Sequence, residues 1–224
     1  MNYSEALSFV FRDEEWIKKL AIGGLITFVS FYAGLFFIGG FFILGYYVMV
    51  MRNVMQGEEK ALPDWTDLSK IFVDGVLGAV ITLVYFIIIG AIGASIIVAL
   101  ANDPFMPDFE RVLGIVGSSL TMLFLLMIFI NFGIMQFAAT NNFGQAFSIG
   151  RFLSLLKNEF GNFFAVVVFS FILHGILLCV GLGIISPFTN FWGLMVQAHL
   201  FGQCAQRIDE LEDSIAKVEP VPAT

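Results

Sequence analysis

The ionisable side chains that stand alone inside apolar sequence are two histidines, His174 and His199. An imidazole within a membrane-depth helix is a functional hypothesis by default, since it can relay a proton or bind a solute. Asn190, Gln197 and Gln203 lie close to them in sequence, so a polar pocket of His174, Gln197, His199 and Gln203 is one reading. The other is neutral imidazoles hydrogen-bonded to a neighbouring helix. On two straight antiparallel helices the histidine depths would differ by roughly 8 Å, too far for direct contact but near enough to share a cavity. No carboxylate or third ligand accompanies them, so no metal is expected. Cys179 and Cys204 have no Cys or His at metal spacing and read as buried free thiols. No carboxylate falls within a predicted span and no nucleophile stands at motif spacing from a base. An enzyme is therefore not expected, and neither is a cofactor.

The element that must carry the histidines is a run of 47 residues, Phe160–Gln206, without Asp, Glu, Lys or Arg. A hydrocarbon core about 30 Å thick takes roughly 20 helical residues to cross. The run therefore holds two crossings, with the turn expected at Ser186-Pro187. The chain is 58% hydrophobic and only 13% charged, against about 25% charged in a soluble domain. In lipid that apolar surface is solvated, while each backbone polar group is satisfied inside a helix. The net charge of −7 argues against nucleic acid. The acidic start, Arg12-Asp13-Glu14-Glu15 before any long apolar run, is unlike a cleaved targeting peptide.

Three further uncharged runs, Leu20–Met51, Gly75–Asn102 and Val112–Gly150, complete the set. The first has 32 residues, long for one crossing and short for two. Gly39-Gly40 near its middle suggests a hairpin turn; one long bent helix is the alternative. The hairpin places ten of the 11 basic residues on one side and leaves only Arg111 opposite. By the positive-inside rule that favours six spans with both termini cytoplasmic in the cell membrane. The expected spans are about 20–38, 41–55, 76–100, 112–137, 161–185 and 188–206, with a cytoplasmic tail over 207–224. The fold class is thus an all-α integral membrane protein of three hairpins. Amphipathic interfacial helices are expected on the cytoplasmic side before each hairpin, over about 3–16, 64–74 and 143–157. The tail ends in Pro220-Val221-Pro222, where a frayed helix would pass into disorder.

One stretch carries a signature: Leu44-Gly45-Tyr46-Tyr47, Arg52-Asn53-Val54-Met55-Gln56-Gly57-Glu58, Leu62-Pro63-Asp64-Trp65 and Phe72-Val73-Asp74-Gly75, joined later by Ala198-His199-Leu200-Phe201-Gly202-Gln203. These motifs resemble the prokaryotic membrane family catalogued as domain of unknown function 4013. The resemblance implies a multi-span membrane protein and brings no established activity and no catalytic residues. Physically, Gly57 can close a helix in the left-handed conformation, Asp64 can cap the next one, and Trp65 suits headgroup depth. Asp64, Asp67 and Asp74 would form the polar face of an interfacial helix. The functional alternative makes Arg52, Pro63, Asp64, Trp65 and Leu68 a surface for lipid or a partner protein.

Small residues point to packing. Gly175, Cys179 and Gly183 recur every four positions, as do Gly90 and Ala94. Packing within the chain is the plain reading of the first face, and a homo-oligomer contact is the alternative. Asn131 and Gln136 read as interhelical glue. The leading functional expectation is a non-enzymatic membrane protein that organises lipid or a partner at the cytoplasmic face. The runner-up is a transporter or channel for a small solute, proton or lipid, using the pocket around His174 and His199.

Overall fold

The computed structural model describes residues 1–181 and 183–218 and is all-helical over them, 85% helix with no strand. The disorder expected at Pro220-Val221-Pro222 lies outside the described residues. Eight α-helices follow in order: α1 Tyr3–Ser8, α2 Trp16–Tyr32, α3 Phe36–Met55, α4 Leu68–Ala101, α5 Asp108–Thr140, α6 Ile149–Asn158, α7 Phe160–Val180 and α8 Ser186–Val218. Short 3₁₀ turns over Phe9–Arg12, Phe143–Phe147 and Gly183–Ile185 link some of them. Among the described residues four helices are long and apolar enough to cross a membrane, within Ile38–Met55, Leu68–Ala101, Asp108–Thr140 and Phe160–Val180.

Helix ends follow local chemistry. Asn2, Asp67 and Ser148 cap α1, α4 and α6 by accepting the backbone N–H of Glu5, Lys70 and Arg151. The cap of α4 is thus Asp67, not Asp64. Helix α3 closes as expected at Gly57, whose φ of 68° suits a residue without Cβ. The N–H groups of Gly57 and Glu58 donate to Val54 O and Asn53 O, a Schellman closure.

Two predicted turns move. The first reversal lies at Ala33–Leu35, where Gly34 takes a φ of 71°, and Gly39-Gly40 is inside α3. Gly39 is needed there for contact, since a Cβ on it would meet Ser30 Oγ. In the last hairpin the break precedes Ser186-Pro187, and the proline sits in the first turn of α8, where a missing N–H costs no intrahelical bond. The segment expected to lie in the interface over 64–74 is not a separate helix. Its second half runs unbroken into α4, whose 34 residues extend about 51 Å.

At the centre is α3, which packs against α2, α4, α5 and α8. Its crossing with α4 is backbone against backbone: a Cβ on Gly45 would strike Ile71 O, and one on Gly75 would strike Phe41 O. Gly202 lets α8 come close as well, though less tightly, 2.9 Å separating its would-be Cβ from Met51 O. Tyr46, Tyr47, Val50 and Met51 of α3 are buried by these neighbours.

Candidate functional site

The polar chemistry of the described residues gathers at the Met55 end of α3. Lys19, only 6% exposed, reaches three oxygens there: Asp13 Oδ2 and Asp64 Oδ1 at 2.8 Å and Leu62 O at 3.0 Å. Burial alone would raise the Asp13 carboxyl, but the Lys19 ammonium and the Glu15 backbone N–H outweigh it and hold it below the usual carboxylate value. The 57–67 loop is fastened again by Tyr46, whose hydroxyl donates to Pro63 O at 2.8 Å. Trp65 stacks on Tyr46 with ring centroids 4.3 Å apart and donates its indole N–H to Lys19 O. Arg52, on the opposite side of α3, donates to Asp74 at 2.8 Å, to Asn141 Oδ1 at 3.0 Å and to Ala138 O. It thereby ties α3 to α4 and to the left-handed end of α5 at Asn141.

Those contacts place the suggested partner surface. Arg52 and Pro63 are used up inside the chain, Trp65 is half-buried, and Asp64 and Leu68 are exposed. The three acids do not share one polar face: Asp64 pairs with Lys19, Asp67 caps α4, and Asp74 is buried against Arg52.

The suggested histidine pocket is divided among three places. His174 Nδ1 donates to Ser170 O at 2.8 Å, and its ring abuts Gly193 of α8. Gln197 donates to Asn131 Oδ1 at 2.9 Å, which also accepts the Tyr47 hydroxyl at 3.2 Å, so Asn131 joins α3, α5 and α8. Asn190 bonds back to Ser186 O. His199 turns towards the N-terminal segment, packing against Phe9 at a 37° tilt with centroids 4.4 Å apart and bonding Gln203 at 3.0 Å. Gln203 in turn holds the backbone of Asn2. Gln136 accepts from Arg151 of α6 at 2.9 Å.

The small-residue face also differs from its plain reading. Gly175 and Cys179 are exposed, and among the described residues no atom packs within 4 Å of a Cβ on Gly175 or Gly183. Helix α7 packs instead through Phe163, Val166, Val167, Ser170 and Leu177. Both cysteines are free, Cys204 buried and Cys179 not.

Two polar crevices flank the fastened loop. One, of about 340 Å³, is lined by Glu5, Phe9, Arg12, Glu58, Glu59, His199, Gln203 and Gln206, with Val54, Gly57 and Ala61 also bordering it. The other, of about 420 Å³, lies among Asp13, Glu14, Glu15, Lys60 and the Lys19 cluster. Neither gathers three His, Cys, Asp or Glu side chains able to hold a metal ion, among the described residues. A family model described as "Protein of unknown function (DUF4013)" matches residues 28–186. The chain belongs to this family. No curated protein and no solved structure matches the chain.

The DUF4013 match takes in the motifs from Gly45 to Gly75, and the structure gives each a packing role. Gly45 and Gly75 form the helix crossing, Arg52 and Asp74 the buried pair, and Tyr46, Pro63 and Trp65 the loop fastening. The match ends before Ala198–Gln203 and begins after the N-terminal segment, so His199, Arg12, Asp13 and Lys19 stand outside it. Sequence reading missed Lys19 and Asp13 as a site because a lysine flanking an apolar run resembles any snorkelling anchor. The available signal was the acid six residues before it and the isolated acid in Leu62-Pro63-Asp64-Trp65.

Proposed function

We propose that the chain is a non-enzymatic, multi-pass protein of a prokaryotic cell membrane that presents a rigid polar platform for lipid headgroups at the cytoplasmic face. Six spans in three hairpins are formed by α2/α3, α4/α5 and α7/α8, with both termini cytoplasmic. The asymmetry of basic residues supports that orientation. Labelling of a cysteine at position 2 from outside the cell would overturn it.

The observation that carries the platform reading is the Lys19 cluster. A buried ammonium bound to Asp13, Asp64 and Leu62 O locks the N-terminal segment and the 57–67 loop onto the start of α2. Burying charge is costly, and a simple connecting loop has no need of it. A polar surface held in one geometry, in contrast, loses little entropy when it binds. The transport reading loses its common pocket, because His174, Gln197 and His199 face different neighbours.

The test is native mass spectrometry of the full chain extracted in mild detergent. Bound lipid is expected on the wild type and its loss from Lys19→Met. A wild type that flies bare, or a variant that keeps as much lipid, would overturn the reading.

A further inference from the structure

We infer that the crevice under the N-terminal segment holds a zwitterionic group, a phosphate joined to a primary ammonium as in a phosphoethanolamine headgroup. The inference rests on the platform reading and adds the ligand class. It starts from place. Val54 and Gly57 border the crevice where α3 ends, at the edge of the apolar window Ile38–Met55. That is the depth at which hydrocarbon gives way to headgroups.

The two poles of the crevice follow from hydrogen-bond bookkeeping. The backbone N–H of Asn2 can only donate, and it donates to Gln203 Oε1 at 2.7 Å. The other end of that amide is therefore NH₂, and it faces His199 Nδ1 at 3.0 Å. Nδ1 must accept, so the proton of the neutral ring is on Nε2. His199 is 6% exposed and borders the crevice, and its Nε2 has no hydrogen bond to any described residue. Packing against Phe9 holds the ring in place. Beside it the Arg12 guanidinium spends one N–H on Glu5 at 3.2 Å and keeps others free. Together they make a donor pole suited to phosphate oxygens.

The same crevice is also lined by Glu58 and Glu59, exposed carboxylates with no ion pair among the described residues, and these make its acceptor pole. A simple anion would face these two acids, and a simple cation would face Arg12 and the Nε2–H. A tethered phosphate and ammonium satisfies both poles at once. A primary ammonium brings N–H donors for the carboxylates, which a trimethylated one lacks. Trimethylammonium groups are instead recognised by open aromatic faces, and the Phe9 ring is buried and packed against His199.

The experiment uses the full chain in mild detergent, read by native mass spectrometry. It is titrated with phosphatidylethanolamine, phosphatidylcholine and phosphatidylglycerol of one acyl composition, then with O-phosphoethanolamine and inorganic phosphate as competitors. Phosphatidylethanolamine should bind about tenfold tighter than the other two lipids. Glu58→Gln with Glu59→Gln should erase that preference with the melting temperature unchanged, since both acids are exposed, while Asp103→Asn keeps it. Competition by O-phosphoethanolamine supports the chemistry, and the source follows from the order of affinities: tighter binding of phosphatidylethanolamine than of O-phosphoethanolamine assigns the lipid, and the reverse order assigns the soluble compound. Competition by inorganic phosphate as strong as by O-phosphoethanolamine overturns the ammonium pole. Equal binding of all three lipids, or a preference that survives the Glu substitutions, overturns the zwitterion site and leaves the platform standing. Absence of bound lipid on the wild type overturns both.

Discussion

The crossing of α3 with the start of α4 and the far part of the α4/α5 hairpin are both apolar helix pairs, yet they are held in opposite ways. At the crossing, Gly45 and Gly75 bring backbones together, and Arg52 ties three elements through Asp74, Asn141 and Ala138 O. In the hairpin, Gly90 and Gly117 have nothing within 4 Å of a Cβ. Its hydroxyls bond only to their own helices, Ser95 to Ala91 O, Ser119 to Ile115 O and Thr121 to Gly117 O. Of the apolar window in α3, 44% is buried by the chain; of that in α5, 6% is. One region is specified by directional bonds between distant residues. The other satisfies its polar atoms locally and leaves its apolar faces to lipid.

The sharpest way to break this contrast is at the buried pair. Arg52→Met leaves Asp74 charged and enclosed, and should cost about 3–5 kcal/mol. Lys18→Met, which removes an exposed pair with Glu15, should cost less than about 1 kcal/mol. Unfolding of the full chain in detergent, followed by tryptophan fluorescence, measures both. Equal stability of the two variants would mean that the crossing is held by apolar packing alone. Next in size is Gly45→Ala. Its methyl group would overlap Ile71 O, a backbone atom that cannot rotate away, so a loss of about 1–3 kcal/mol is expected. A melting curve unchanged from wild type would show that the helices can part there freely.

The same contrast explains what sequence could reveal. Apolar runs and the Gly57 closure were both legible because each is a local signal. In lipid an apolar run has no need of an alternating face, so nothing within it marks a turn. Gly39-Gly40 and Gly34 were equivalent to the eye, and only contact with Ser30 separates them. Spacing along a helix gives depth but leaves direction to packing. Gly193, which abuts His174, and His199 are six residues apart on α8, about 240° around its axis, so His199 faces the N-terminal segment instead. Periodicity likewise put Gly175, Cys179 and Gly183 on one face but could not say that it points away from the chain. Lys19 was the hardest case, because Asp64, which shares it with Asp13, is 45 positions away and only tertiary structure joins them.

Acid provides a smaller test of the Lys19 cluster. The Asp13 carboxyl is held below its ordinary 3.8 in the folded chain. A depressed carboxylate contributes stability that is full above the unfolded value and is lost as pH falls through the folded one. Stability should therefore be insensitive to Asp13 near neutrality and decline below about pH 4. The melting temperature of Asp13→Asn should fall less steeply over that acid range than that of wild type. Parallel acid limbs would show that the ammonium does not favour the ionised form of Asp13.

The smallest effect belongs to the hairpin. A methyl group added by Gly90→Ala meets open space, and alanine is a better helix former than glycine by roughly 1 kcal/mol in water. No described atom lies within 4 Å of that position, so no contact is lost and no backbone is displaced. The variant should melt within about 0.5 kcal/mol of wild type, or slightly above it. A loss comparable with that of Gly45→Ala would mean that another surface, from a second copy or another protein, presses on α4 at Gly90. The hairpin would then be held by bonds between distant groups, as the crossing is, and the distinction between the two regions would fail.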